Sequence, residues 1–249
     1  MNDLYTLTAH GFYIYTGDAE DKAIQKVIRD KGVWDPALDQ WMSRNIKPGF
    51  LCLDIGANNG YFTEHMAKLS GPSGAVYGFE ASKRFVDLYE AGRSLNSYKG
   101  SASIKMINTC LSNSVSSKTL FTPPGNKGGA SLETEFINGS GFKARYGFGE
   151  EVPSEVECVP LRDIFDMTPD YIKIDVEGHE KQVFEGFSEK TLMCPLLTIE
   201  FTPYITDDFF QYLCYMYDFY DLYDRPLSKK HLELRRKVWT GSDVVLRRK

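Results

Sequence analysis

Asp54, Lys173, Asp175, His179 and Glu200 are of the types, and at the spacings, that proton-transfer chemistry needs. In Tyr171-Ile-Lys-Ile-Asp175 the alternation of a β-strand puts Tyr171, Lys173 and Asp175 on one face. His179 follows at the start of a predicted helix, and an imidazole, with an unperturbed pKa of about 6.5, suits general-base work at neutral pH. Asp54 and Glu200 close two other apolar runs. In an open α/β sheet ligands gather at the carboxyl ends of the strands, so Asp54, Asp175 and Glu200 should converge on one crevice. Plainer roles stay open: Asp175 as a helix cap, His179 as an exposed first-turn residue, Glu177 as a first-turn acid favoured by the helix dipole. A hard cation such as magnesium could bind Asp175 and Glu200, but two carboxylates do not define a metal site and none is assigned.

A second constellation lies upstream. Leu51-Cys-Leu-Asp-Ile-Gly-Ala-Asn-Asn-Gly-Tyr-Phe62 is an apolar strand that ends in an acid, turns through glycines and opens a helix. Gly56 and Gly60 let backbone approach a ligand, and the N–H groups at the helix start face it. Glu80 ends the next strand, where an acid accepts hydrogen bonds from both hydroxyls of a ribose. The spacing G-x-x-x-G is neither the G-x-G-x-x-G of dinucleotide binders nor a P-loop.

Asp54-Ile-Gly-Ala-Asn-Asn-Gly-Tyr-Phe-Thr63, Tyr77-Gly-Phe-Glu-Ala81 and Tyr171-Ile-Lys-Ile-Asp-Val-Glu-Gly-His-Glu180 together resemble the signature stretches of the FkbM family of S-adenosylmethionine-dependent methyltransferases. The likeness runs from Gly11 to Phe201 and includes Lys47-Pro-Gly49. It implies a Rossmann-like sheet of seven strands and O-methyl transfer to a hydroxyl of a sugar, glycan or other natural product. Carried over, the cofactor turn falls on Asp54, Gly56, Asn58 and Gly60, the ribose acid on Glu80 beside Ala81, and the adenine side on Asn108-Thr-Cys-Leu-Ser112. Asp175 would orient the cofactor's ammonium or take the acceptor's proton. In the family's strand order the strand of Lys173 is central and buried, so this lysine needs a carboxylate partner among Asp54, Asp175 and Glu200. The stretch Gly125-Asn-Lys-Gly-Gly-Ala-Ser131 also resembles a family segment near the active site, with Asn126 and Ser131 as contacts or as part of a surface turn. Residues from about Asp207 match no family motif.

Positioning these groups requires an alternation of strands and helices. Strands are predicted at Phe50–Asp54, Ala75–Phe79, Ile104–Ile107, Tyr171–Ile174 and Leu196–Ile199. Helices are predicted at Tyr61–Leu69, Ser82–Leu95 with Ser82 as cap, Glu177–Phe184 and Thr206–Tyr217. This pattern argues for an α/β fold, a doubly wound, mainly parallel sheet with helices on both faces. An N-terminal leader, residues 1–49, contains a strand at Gly11–Tyr15 and helices at Asp18–Asp30 and Asp35–Arg44, and is expected to cap or lid the core, residues 50–249. The glycine-rich loop 122–152 is expected to be functional or mobile, with Phe142, Tyr146 and Phe148 as a lid over an acceptor ring. The aromatic run Phe209–Tyr220 reads as a core-facing helix leading into a strand, and Arg247-Arg248-Lys249 as a solvated tail.

At 249 residues the chain fits one domain, given roughly 100–200 residues per domain. With 29 Lys+Arg against 34 Asp+Glu it carries a net charge of −5, the wrong sign for gripping nucleic acid over a broad surface. No apolar run approaches the roughly 20 residues of a membrane span, and no secretory signal is legible. The five cysteines show no C-x-x-C pair, which fits reduced thiols and a cytoplasmic location. A small-molecule or carbohydrate acceptor is the expected partner. Competing readings are an NAD-dependent oxidoreductase, since Glu80 also suits NAD's ribose, and a cofactor-binding protein without catalysis.

Overall fold

The computed structural model describes residues 4–96, 100–123, 125–133, 152–237 and 243–249. The leader holds β1 (Tyr5–Leu7) paired antiparallel with β2 (Tyr13–Tyr15), then α1 (Ile24–Lys31) and α2 (Pro36–Asn45). Asp35 caps α2 by accepting from the N–H groups of Ala37 and Leu38, with Pro36 filling the first helical position. From here strand and helix alternate: β3 (Leu51–Ile55), α3 (Tyr61–Ser70), β4 (Ala75–Glu80), α4 (Lys83–Gly92) and β5 (Ser103–Asn108). Then come β6 (Cys110–Leu111), β7 (Ser116–Thr122), β8 (Val152–Val159), α5 (Leu161–Ile164), β9 (Tyr171–Ile174), α6 (Glu180–Glu185), α7 (Glu189–Leu192) and β10 (Leu196–Glu200). The remainder is α8 (Asp207–Met216), β11 (Tyr217–Tyr220), α9 (Lys229–Arg235) and β12 (Asp243–Arg248).

The main sheet has seven strands in the order β11-β12-β10-β9-β3-β4-β5. β5, β4, β3, β9 and β10 run parallel, while β12 is antiparallel to both of its neighbours. The chain builds outward from β3 to β5 and then restarts on the other side of β3 with β9. That reversal leaves a crevice at the carboxyl ends of β3 and β9. The sheet is the Rossmann-like, doubly wound arrangement expected from the sequence.

Alternating residues divide the interior into two apolar layers, because successive side chains leave opposite faces of a strand. Leu53, Ile172, Leu197 and Leu246 point into one layer with Phe184, Phe209 and Leu213. Cys52, Tyr171 and Val245 point into the other, where the leader supplies Phe12, Ile14, Ile28, Trp41 and Met42. The leader thus contributes seven of the seventeen described buried residues of that layer instead of resting on a finished core.

Three local expectations are corrected. Arg247-Arg248-Lys249 is no solvated tail: Arg247 and Arg248 lie in β12, with Arg247 giving 2.7 Å to Asp224 and stacking over Tyr220. Ser82 occupies the cap position of α4 without a side-chain capping bond. Glu177 is not in a first helical turn, since it and Gly178 take left-handed backbone and α6 starts only at Glu180. A further three-stranded sheet, ordered β6-β8-β7, went unforeseen. Phe142, Tyr146, Phe148 and most of the glycine-rich loop lie outside the described residues. Among the described residues no helix is long and apolar enough to cross a membrane.

A polar clasp joins the leader to the sheet's helices. Asp39 of α2 accepts from Tyr61 at 2.8 Å and lies 2.7 Å from His10 Nε2 and 3.7 Å from His65 Nε2. Burial, opposed by Asp39, holds His65 down to about 4. An unfolded histidine takes its proton at a pH of roughly 6.5, so stability is lost as pH falls from that value towards 4. Between pH 7 and pH 4.5 the wild type is expected to lose about 2–3 kcal/mol more than His65→Gln, by urea unfolding at both pH values. Parallel losses in the two proteins would refute this.

Candidate active site

The turn after β3 is fixed by its glycines and by Glu80. The N–H groups of Gly56 and Ala57 both donate to the carbonyl of Phe79 at 3.0 Å. Gly56 has φ +81°, and a Cβ there would stand 1.8 Å from the carbonyl oxygen of Asp175. Only glycine meets both conditions. Asn58 is also left-handed, at φ 53°, a conformation asparagine tolerates. Its N–H donates to one oxygen of Glu80 at 2.7 Å, and the N–H of Ser82 donates to the other at 2.7 Å. Glu80 therefore ties the turn to the end of β4. Burial raises its carboxyl above the usual range, with those two N–H donors acting against it.

Behind the turn lies a buried ion cluster. Lys173 Nζ is 3.5 Å from Asp54 Oδ1, 3.4 Å from Asp175 Oδ2 and 3.3 Å from the Gly56 carbonyl. Thr63 donates to the other Asp54 oxygen at 2.6 Å. Of the three partners open to Lys173, the geometry selects Asp54 and Asp175 and leaves Glu200 aside. Burial opposes the lysine's charge, but Asp175 and Asp54 outweigh it and hold Lys173 above its ordinary range. Asp54 is fully buried, whereas the Asp175 side chain is 35% exposed. Asp175 is thus the most exposed member of the cluster.

His179 is buried at 1% exposure, which overturns its reading as an exposed first-turn residue. Its Nε2 is 3.0 Å from Ser112 Oγ and its Nδ1 2.8 Å from Glu133 Oε1. Hydroxyl, imidazole and carboxylate follow the order of a nucleophilic triad, yet Ser112 has no exposed surface and cannot meet a substrate. With both ring nitrogens engaged, His179 holds Ser112 and Glu133 together at the wall of the site. Glu180 accepts from the N–H of Gly178 at 3.1 Å, and burial lifts it to about 7.

All of this surrounds a cavity of about 360 Å³ at the strand ends. Gly56, Asn58, Glu80 and Ala81 line one part of it, and Lys173, Asp175, His179 and Glu200 another. Asp54 and Gly60 lie behind that surface, and Asn108 is exposed outside it, its amide donating to the carbonyls of Glu80 and Ala81. Thr109 and Cys110 line the cavity beside it. Asn126 also lines it, while buried Ser131 donates to the Glu177 carbonyl at 2.6 Å. Trp34, Asp35 and Asp243 join the lining without having been singled out in the sequence. For Asp243 a signal existed, an acid directly before the apolar run Val244-Val-Leu246. Asp175 and Glu200 belong to no group of three closely spaced metal donors; among the described residues that group is His10, Asp39 and His65.

The sequence profile of the methyltransferase FkbM domain matches residues 54–234. Comparison with curated proteins gives no match. Among solved structures the chain is similar to a methyltransferase FkbM from Methylobacillus flagellatus KT, at 13% identity and a TM-score of 0.46. That alignment covers 80% of this chain but 43% of the other, so the chain spans less than half of that protein. It is similar to an O-methyltransferase from Bacillus cereus in complex with SAH, at 11% identity, TM-score 0.46, covering 87% and 83% of the two chains. It is similar also to an rRNA methylase from Streptococcus thermophilus, at 9% identity, TM-score 0.40, covering 85% and 93%. The profile takes in the turn at Gly56, the acid at Glu80 and the Lys173–Glu180 stretch, and the chain belongs to the FkbM family of S-adenosylmethionine-dependent methyltransferases.

Proposed function

We propose that the protein is an O-methyltransferase, moving the methyl group of S-adenosylmethionine to a hydroxyl of a sugar, glycan or other small natural product. The observation that carries this is the placing of Glu80 and Asp175 on either side of the Gly56 turn, on one cavity. A carboxylate at Glu80 suits the ribose hydroxyls, and a half-exposed carboxylate at Asp175 suits the ammonium and sulfonium end of the cofactor. The residues present therefore fit the group: Gly56, Asn58 and Glu80 hold its nucleoside side and Asp175 its amino-acid side. When bound, S-adenosylmethionine supplies a methyl already activated on a sulfonium.

The protein's own work is then alignment and removal of one proton. Lys173 fixes Asp175 through its 3.4 Å contact, so that this carboxylate can accept the hydroxyl proton of the acceptor. The Gly56 turn and the end of β9, in direct contact, keep the two reactants in a fixed relation. Apolar groups along the same wall, Ile55, Phe62 and Leu111, exclude water. Residues 1–249 act as one unit in this reading, the leader walling the acceptor side through Trp34 and Asp35. An acidic cavity and a net charge of −5 favour a small carbohydrate-like acceptor over a phosphodiester chain. The free cysteines suit a reducing, cytoplasmic setting.

Calorimetric titration with S-adenosylhomocysteine tests the cofactor half, and methyl transfer to a panel of hydroxylated acceptors tests the rest. Glu80→Gln is expected to weaken S-adenosylhomocysteine about tenfold to a hundredfold, the worth of a hydrogen bond to a charged group. Unchanged affinity in that variant would remove Glu80 from the cofactor site.

A further inference from the structure

Glu200 and Asp243 are direct partners across the antiparallel pair β10 and β12, so their side chains leave the sheet on the same face. Both are about nine-tenths buried, at 9% and 8% exposure, and both line the cavity. Among the described residues Glu200 Oε2 and Asp243 Oδ1 have no hydrogen-bond partner. Two carboxyls placed side by side in a buried wall are costly unless something cationic meets them.

No cation of the described lining is in a salt bridge with either. Lys173 is bridged to Asp54 and Asp175 and reaches Asp243 only through its field, and Lys127 sits 2.8 Å from Asp18. His179 is taken up by Ser112 and Glu133. Burial and the neighbouring acids Glu177, Asp175 and Glu180 push Glu200 well above the usual carboxylate range, and burial with Asp175 and Asp35 lifts Asp243 to about 8.

Position separates this pair from the cofactor. Reading across the sheet, Glu80 ends β4, and then come β3, β9, β10 and β12. At about 4.8 Å per strand, Asp243 lies roughly 19 Å from Glu80, on the far side of Asp175. A nucleoside held at Glu80 with its amino-acid end at Asp175 leaves Glu200 and Asp243 to the acceptor. Asp35 of the leader, whose charge acts on Asp243, adds a further acid there, and Trp34 next to it in the chain lines the same cavity.

We propose that the acceptor carries a protonated amine besides the hydroxyl that receives the methyl, as an amino sugar does. Glu200 and Asp243 hold its ammonium, so that the neighbouring hydroxyl faces Asp175. An ammonium brings three donors and one positive charge, which answers both orphaned oxygens at once. The indole of Trp34 offers a face to the same cation or to the sugar ring. This inference rests on the methyltransferase reading given above.

The test uses the full chain and two probe pairs that differ in charge: glucosamine against N-acetylglucosamine, and butylamine against butanol. Each is titrated at pH 7 with and without S-adenosylhomocysteine. The amines are expected to bind at least about tenfold more tightly than their neutral counterparts, the ratio a hydrogen bond to a charged group supports. Glu200→Gln and Asp243→Asn should each erase that preference while changing S-adenosylhomocysteine affinity less than about twofold. Both variants relieve a buried acid, so melting temperatures no lower than wild type will show that they fold. Equal binding of charged and neutral probes, no Glu200-dependent binding of either amine, or Glu200-dependent binding of magnesium chloride in their place would overturn the proposal. Failure of S-adenosylhomocysteine itself to bind would strike the methyltransferase reading instead, because the amine titrations without it still report on the pair.

Discussion

Lys173→Met is expected to lower the free energy of unfolding by about 3–5 kcal/mol at pH 7, the cost of stripping one partner from a buried ion pair. Asp54 has no exposed surface and would keep a single strong donor, Thr63 at 2.6 Å. Methionine fills nearly the same volume under the Phe62 ring, so lost packing contributes little. The pH dependence identifies the cause. Without Lys173, Asp54 is driven further above the roughly 3.9 of an unfolded aspartate, so the unfolded chain ionises first and stability falls as pH rises through that region. The deficit should therefore be smaller at pH 5 than at pH 7 in urea unfolding. A double variant, Asp54→Asn with Lys173→Met, should recover most of it. If Lys173→Met matches the wild type at pH 7, the pair contributes nothing to the fold.

Gly56→Ala carries the larger consequence for ligand binding. A left-handed alanine costs about 1–2 kcal/mol on backbone grounds alone. Its Cβ would also stand 1.8 Å from the Asp175 carbonyl, so β3's turn and β9's end must separate. Both halves of the candidate cofactor site then move, and S-adenosylhomocysteine affinity is expected to drop more than about a hundredfold, since small misplacements at a positioned site cost that much. Asn58→Gly is the control: it relieves a left-handed residue at φ 53° and should leave melting temperature nearly unchanged. Wild-type affinity in Gly56→Ala would show that the contact with Asp175 is not needed.

The parallel part of the sheet was readable because its strands are covered on both faces, which leaves mainly apolar runs such as Leu51–Ile55 and Tyr171–Ile174, interrupted only by Asp54 and Lys173. The glycine turn was readable because its residues are neighbours in the chain, and Glu80 because it closes the next apolar strand. What escaped depends on partners distant in sequence. Whether His179 was a general base or an exposed first-turn residue stayed open in the sequence, because Ser112 and Glu133, which engage both its ring nitrogens, lie 67 and 46 residues away. The charged end Arg247-Arg248 looked solvated because its compensation comes from elsewhere, from Asp224, the Tyr220 ring and the carbonyl of Leu192. The small sheet was missed because β7 reads Ser-Ser-Lys-Thr-Leu-Phe-Thr, a polar strand half open to water. His10 sits in the turn between β1 and β2, Asp39 on α2 and His65 on α3, and no spacing rule links them.

The place of β12 bears on the order in which the protein can assemble as it leaves the ribosome. The strands that carry Gly56, Glu80, Asp175 and Glu200 have all been synthesised by residue 200, and they are mutual neighbours in the sheet. β11 is made next, but its one neighbour among the described strands of the sheet is β12, so it joins the sheet only once residues 243–248 lie between it and β10. During translation the edge of β10 waits unpaired, an exposure that invites association with other nascent chains. The side of the crevice at Gly56 and Glu80 can thus form before β12 exists, whereas the side that contains Asp243 is closed only when that one antiparallel strand pairs with β10.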